Sequence, residues 1–272
     1  MAAMKLYFST ELAPCPYLDG RVERRLVTAM GGEAADARHD QLMRAGFRRS
    51  QRYAYRPVCP SCQACVPVRI PVAGFRLGRA WRRILRHNAD LVAAERPPVA
   101  TEEQFALFRR YLDGRHNESG MVEMTWEDYQ AMAGDTPVTS VLVEWRRPDG
   151  RLMAVSLTDR APSGLSGVYK FFEPEEPRRS LGTLIILWHV QRARELGLPY
   201  VYLGYWIAQS PKMAYKSRFQ PLERLTAEGW RPFAPADAWT LSEAGEQRGP
   251  EVCAASPSPA PVVAARSTKE LF

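Results

Sequence analysis

The chain has no uninterrupted apolar run near the ~20 residues that a membrane-spanning helix needs. Its opening segment, Met1 to Thr10, holds a single Lys and no long apolar stretch, so nothing there reads as a secretory signal. These absences argue against a membrane partner and lead to the expectation of a cytoplasmic protein. Histidine is scarce, at 4 residues, and no obvious catalytic triad is apparent. Lysine is rare beside arginine, 5 against 32, a ratio that a GC-rich genome explains. No internal repeat is visible. Cysteine is also uncommon, at 5 residues, and without a secretion signal disulfides are a poor default for them.

What is present is charge in an uneven pattern. The 272 residues suffice for one large domain or two modest ones. Residues 1–96 hold 17 Lys and Arg against 8 Asp and Glu, whereas the rest holds 20 against 22. The first third of the chain therefore carries all of the net +7. Base composition does not explain that location. It points to a polyanionic partner, with nucleic acid ahead of a membrane surface because no basic segment also carries a strong apolar anchor.

The elements are readable in outline. GFRRSQRYAYRPVC alternates imperfectly, as a strand does. RAWRRILRHNADLV reads as a helix, with Arg79, Arg82, Arg83 and Arg86 at i, i+3, i+4 and i+7 on one face. Arg96-Pro97-Pro98 then breaks the pattern and suggests a domain boundary. TEEQFALFRRYLDG is a capped helix ending at Gly114, and a short helix is expected over Trp126 to Met132. SVLVEW, RLMAVSLTDR and GLSGVYKFFE read as three strands joined by turns. LIILWHVQRARELG is a helix closed by Gly197, PYVYLGYW a buried strand, and KMAYKSRFQ a short helix or turn before PLERLTAEGWRPF returns to the sheet. This order is similar to that of the acetyltransferase-type (GNAT) fold. The expectation is an α+β protein: a basic, Cys-containing N-terminal domain (1–96), a GNAT-like transferase domain (97–238) and a disordered Ala/Pro/Ser-rich tail (239–272).

Several blocks carry a resemblance to a known family. CPYLDGRVERRLV, LMRAGFRRSQRYAYRPVCPSCQACVPVRI, RAWRRILRHN, SLTDRAPSGLSGVYKFFEPEEPRRSLGT and LPYVYLGYWI with MAYKSRFQPLE resemble the arginyl-tRNA–protein transferases, above all their bacterial aspartate/glutamate leucyltransferase branch. The resemblance spans about residues 5 to 233. It implies an enzyme of the N-degron (N-end rule) pathway that moves Leu from Leu-tRNA to proteins with N-terminal Asp or Glu, with no role for DNA. RRSLGT resembles the phosphate loop of GNAT enzymes only in part: Arg178, Arg179 and Gly182 are present, but Leu184 stands where its last Gly is expected. That departure disfavours an acetyl-CoA-dependent N-acetyltransferase. An arginyl transferase and a non-enzymatic tRNA-binding module remain as further alternatives.

Aminolysis of an aminoacyl ester needs no ATP or metal, because the ester is already activated and the attacking α-amine, with a pKa of ~7.7–8, is partly neutral at pH 7. Positioning, a general base and oxyanion donors suffice. Asp159, at the end of a central strand, is the first candidate base, with pairing to Arg160 as its structural alternative. Tyr169 and Tyr205, on central strands, are candidates to orient the amine or stabilise the oxyanion. His189 reads as buried packing. The acceptor's carboxylate calls for a cation; Lys216 and Arg218 are the candidates, with Arg48 and Arg49 as alternatives. Arg79, Arg82, Arg83 and Arg86, with Arg178 and Arg179, are the candidate tRNA contacts. Cys15, Cys59, Cys62 and Cys65 carry spacings compatible with zinc or an iron–sulfur cluster, and the resemblance implies a cysteine-containing N-terminal domain linked to metal, haem or cluster binding. No part in acyl transfer is expected of them. Cys253 lies in the expected tail.

Overall fold

The computed structural model describes residues 6–115 and 120–234; the tail expected from residue 239 lies outside them. The chain starts with short strands: β1 (Phe8–Ser9), β2 (Ala13–Pro14), β3 (Val22–Glu23) and β4 (Arg25–Ala29). Helix α1 (Ala35–Arg44) follows, then β5 (Arg48–Ser50) and β6 (Tyr53–Pro57). The segment expected to be one strand is thus a hairpin, turned at Gln51, whose φ is +47°. β1, β4, β6 and β5 form a small antiparallel sheet in that order, and β2 pairs with β3.

β7 (Val66–Pro71), α2 (Arg79–His87) and β8 (Val92–Arg96) come next, then α3 (Glu102–Arg115) and α4 (Trp126–Gly134). Thr101 and Gln104 cap the start of α3 reciprocally, and Thr125 with Asp128 does the same for α4. The strands β9 (Ser140–Arg146), β10 (Leu152–Ala161) and β11 (Gly164–Phe172) follow, then α5 (Leu181–Glu195), β12 (Tyr200–Trp206), α6 (Pro211–Ala214), a 3₁₀ turn over Tyr215–Arg218, and the hairpin β13 (Glu223–Thr226) and β14 (Gly229–Pro232).

The molecule is therefore a mixed α+β fold built on one eight-stranded sheet, ordered β14-β13-β7-β12-β11-β10-β9-β8. All neighbours are antiparallel except β11 and β12. β7 and β8 both precede the suggested boundary after Arg96, yet each is hydrogen-bonded into this sheet. The divide does not separate two sheets: the segment before it supplies an edge strand and an interior strand of the larger one.

Period-two alternation assigns the sheet's faces. Ser156 and Thr158 of β10 face α5, where His189 Nε2 lies 2.8 Å from Thr158 Oγ1. Leu157 and Asp159 face the other way, toward α3 and α1. Leu107, Phe108, Leu112 and Tyr129 of α3 and α4 fill the core over β9–β11 with Leu142, Val155 and Phe171. Ile186, Leu187 and Val190 of α5 pack with Val68, Ile70, Val201 and Trp206. On the order of 2 kcal/mol for each such buried side chain makes this apolar burial the dominant favourable contribution to the fold.

Candidate active site

The parallel pair β11 and β12 comes apart along its length. β11 and β12 are in register only at Gly164 with Tyr200, Leu165 with Val201 and Ser166 with Tyr202. Both strands then continue, β11 to Phe172 and β12 to Trp206. Each is irregular at the point of divergence. On β11, Gly167 and Tyr169 oppose consecutive residues of β10, leaving Val168 as an extra residue. On β12, Leu203 is left over against β7. Such bulges bend a strand and re-aim its backbone.

Arg48, from β5 of the small sheet, reaches into this fork. Its Nη2 donates to the Val168 carbonyl at 2.8 Å and lies 3.4 Å from that of Gly167. Gly204 makes room for it. With φ of +72°, Gly204 sits in the left-handed region, and a Cβ there would stand 2.3 Å from Arg48 Nη1. Both the backbone angle and the guanidinium require glycine at this position.

Two lysines join Arg48. Lys216, in the 3₁₀ turn after α6, is buried and donates to the Tyr205 carbonyl, with Met213 Sδ at 3.5 Å. Burial holds its ammonium well below the ordinary lysine pKa, and the charges of Arg48 and Lys170 push the same way. Lys170 of β11 donates to Tyr215 Oη at 3.0 Å and lies 3.4 Å from the Gly182 carbonyl in the first turn of α5. Among the described residues, no carboxylate forms an ion pair with Arg48, Lys170 or Lys216. The buried arginines Arg49 and Arg69, by contrast, each hold an acid, Asp159 and Glu223. Three basic side chains gathered without an acid are a candidate site for an anion.

Several expected site residues are committed elsewhere. Asp159 is fully buried. Arg49 grips it with Nε–Oδ2 and Nη2–Oδ1 distances of 2.7 Å, Ser140 Oγ donates at 2.6 Å, and His39 Nε2 is 3.1 Å from Oδ2. Burial pushes its carboxyl up, but the Arg49 guanidinium and His39 outweigh this and hold it well below the usual carboxylate range. An anion so held is a poor base, and Arg49 has no freedom to read an acceptor. The pair ties the small sheet to β10. Arg160, the partner expected for Asp159, instead bonds Glu95.

Tyr205 is buried, with its hydroxyl at 3.1 Å from the carbonyls of both Gly46 and Tyr55. It anchors the small sheet and has no hydroxyl proton to spare. Tyr169 packs beside Phe108 and Phe171 on the α3 face, and burial raises its phenol. His189 is buried, and its pKa falls to about 3 through burial and the charge of Lys170; it is neutral packing, as expected. Arg218 is exposed, with its guanidinium 5.7 Å from the Trp81 ring on α2, rather than beside Lys216.

The arginine face of α2 is as the spacing predicts. Trp81, Ile84 and Leu85 pack inward, Trp81 stacking on Phe219 at 4.9 Å. Arg79, Arg82, Arg83 and Arg86 are exposed, and among the described residues no acid pairs with them. Arg79, Arg82 and Arg86 line a shallow depression. Arg178 is exposed, but Arg179 pairs with Asp90 at 2.8 and 3.0 Å and so braces the loop before α5.

Cys15, Cys59, Cys62 and Cys65 all line one cavity, with Tyr17 and Glu23. Burial, then the neighbouring thiols, raises Cys65 to about 12. No three His, Cys, Asp or Glu side chains among the described residues stand close enough to hold a metal ion as they are placed. Cys253 lies outside the described residues.

Lys170 and Tyr215 are site residues that the sequence does not single out. One signal is available there: in a chain that uses arginine for nearly all its cations, two of the five lysines meet here. Lysine is the cation whose protonation burial shifts readily.

The chain matches the family models described as arginine-tRNA-protein transferase, N terminus, over residues 13–83, and C terminus, over residues 103–226. An aspartate/glutamate leucyltransferase from Parvibaculum lavamentivorans is 56% identical over 83% of this chain and 93% of its own length. A second, from Gluconacetobacter diazotrophicus, is 52% identical over 90% of this chain and 93% of its own. Among solved structures, L-PGS from Bacillus licheniformis aligns loosely, with a TM-score of 0.46 at 12% identity over 85% of this chain and 88% of that one. At this level of identity along nearly the whole length of its relatives, the chain belongs to the arginine-tRNA-protein transferase family, in its aspartate/glutamate leucyltransferase branch.

Proposed function

We propose that this chain transfers leucine from Leu-tRNA to the α-amine of proteins that begin with Asp or Glu, and that it acts in the cytoplasm within the N-degron pathway. The observation that carries the site assignment is the acid-free group of Arg48, Lys170 and Lys216 in the β11–β12 fork. Arg48 uses Nη2 on backbone carbonyls, and among the described residues nothing engages its Nε or Nη1. It offers these donors, with the Lys216 ammonium, to the acceptor's side-chain carboxylate. Cations in so buried a place favour a carboxylate strongly over a neutral amide. The same field stabilises the oxyanion formed when the amine adds to the ester.

The tRNA lies across the exposed arginines of α2, with Arg178 and Arg218 extending that surface. Phosphate contacts of this kind give strong, salt-dependent binding without base recognition. We read the large sheet with α3–α5 as the GNAT-like transferase portion, and the small sheet and β2–β3 hairpin as the Cys-containing N-terminal lobe. An assay offering Leu-tRNA, Arg-tRNA and acetyl-CoA to one Asp-starting peptide tests the donor. Transfer from Leu-tRNA is expected, and transfer from either of the others instead would overturn the reading.

The convergence of four cysteines on one cavity supports a second site on the same chain. The donors suit zinc or an iron–sulfur cluster by chemistry, and binding would have to draw them inward. The cavity is lined by Tyr17, Glu23 and the four cysteines, and its Cys65 lies within electrostatic reach of Lys216; we assign the cysteines no step of acyl transfer. Elemental analysis of protein purified without oxygen decides this: zinc or iron in stoichiometric amount is expected, and neither would remove the site.

A further inference from the structure

Acyl transfer moves two protons as well as an acyl group. The α-amine must lose one, and the departing ribose oxygen must gain one. Asp159 is locked in its ion pair, His189 is buried and neutral, and the Tyr205 hydroxyl is committed to carbonyls. None of them can serve.

Tyr215 is differently placed. It follows α6 in the 3₁₀ turn that also carries Lys216, and its Oη accepts from Lys170 Nζ at 3.0 Å. An ammonium has donors only. The phenol oxygen is therefore the acceptor in that bond, and its own proton is left free to be given elsewhere. The tyrosine also lies within electrostatic reach of Arg48, and Lys170 within reach of Lys216, which places the pair at the fork. On its other side Tyr215 meets Phe219 edge-on at 6.3 Å, Phe219 stacks on Trp81, and Trp81 lies under Arg218. Packed rings thus link the Tyr215 turn to the inner side of α2 and hold the tyrosine in place.

We infer that Tyr215 is the proton shuttle of leucine transfer and that Lys170 is its positioning residue, an inference that rests on the proposed function. The neutral α-amine attacks the ester carbonyl carbon, forming the C–N bond and a tetrahedral oxyanion. Collapse breaks the C–O bond to the ribose of the terminal adenosine. The Tyr215 proton goes to the departing ribose oxygen. The phenolate, held by the Lys170 ammonium, takes the proton released by the nitrogen. The phenol is restored and no further reactant is consumed.

The test compares the intact protein with Tyr215→Phe, Lys170→Met and Lys170→Arg, using Leu-tRNA and an Asp-starting peptide. Tyr215→Phe should lower kcat by roughly 10²- to 10⁴-fold, with KM for both substrates and filter binding of Leu-tRNA within about threefold of the parent. Lys170→Met should lower kcat alike and also raise the peptide KM, because it removes one cation of the fork, and Lys170→Arg should recover part of the rate. The split between kcat and KM in Tyr215→Phe, with the rescue by Lys170→Arg, is the decisive readout. An unchanged kcat in Tyr215→Phe, no recovery in Lys170→Arg, or loss of Leu-tRNA binding in Tyr215→Phe would overturn the inference. A parent protein that transfers no leucine would refute the proposed function instead.

Discussion

Asp159 and Lys216 are both buried charged residues, and their surroundings give them opposite uses. Asp159 meets a bidentate arginine and a hydroxyl, so its charge is balanced and spent on holding the small sheet to β10. Lys216 meets a carbonyl and a thioether, with no acid paired to it among the described residues, and burial disfavours its charged form. Removing one member of a buried ion pair strands the other, at a cost of about 3–5 kcal/mol. Asp159→Asn should therefore lower the unfolding free energy measured in urea by that amount. The folded-state pKa of Asp159 lies below its unfolded value. Its stabilisation is thus present above the unfolded value, near 4, and is lost as pH falls below it toward the folded value. Parent stability should drop steeply below about pH 4 through this pair, and the variant should lack that part of the acid dependence. Equal stabilities at pH 7 would contradict the assignment.

At the scale of elements, α2 does what its sequence spacing requires. Four arginines fall on one side and Trp81, Ile84 and Leu85 on the other, and the surface they make has no described acid to neutralise it. Replacing Arg82 and Arg83 by Glu should weaken Leu-tRNA binding and reduce the slope of log K against log salt by about 1 for each phosphate no longer neutralised, leaving the KM for the peptide unchanged. Unaltered binding in a filter assay would remove α2 from the RNA surface. The strands β9 to β12 are equally legible, because apolar alternation and turn residues mark them. β7 is not. Val66–Pro71 carries Pro67 and Pro71, and prolines argue against an interior strand because they cannot donate to a ladder. The sheet accommodates them because β13 pairs with β7 only at Val68 and Arg69, between the two. The fork is also hidden. Its residues come from β5, β11 and the turn after α6, and no local pattern announces that Arg48 will lie against Gly204. Asp159 reads as a base in the sequence because it ends a central strand; the arginine that closes it off lies 110 positions away.

The whole molecule joins two surfaces of one sign. A basic helix face lies beside a fork that holds three cations without an acid, and both arise from placement rather than from any contiguous motif. The small sheet, which the sequence presents as part of a separate domain, supplies Arg48 to the fork and is fastened there by Tyr205 and the Arg49–Asp159 pair. On the proposed assignment the fork reads a carboxylate on the incoming N-terminus. The measurement is kcat/KM for leucine transfer from Leu-tRNA to two peptides that differ only in an N-terminal Asp or Asn. Transfer to the Asp peptide should be favoured by on the order of 100-fold, and Lys216→Met should erase most of that preference while Leu-tRNA binding persists. Equal use of the two peptides by the parent protein would contradict carboxylate recognition by the fork.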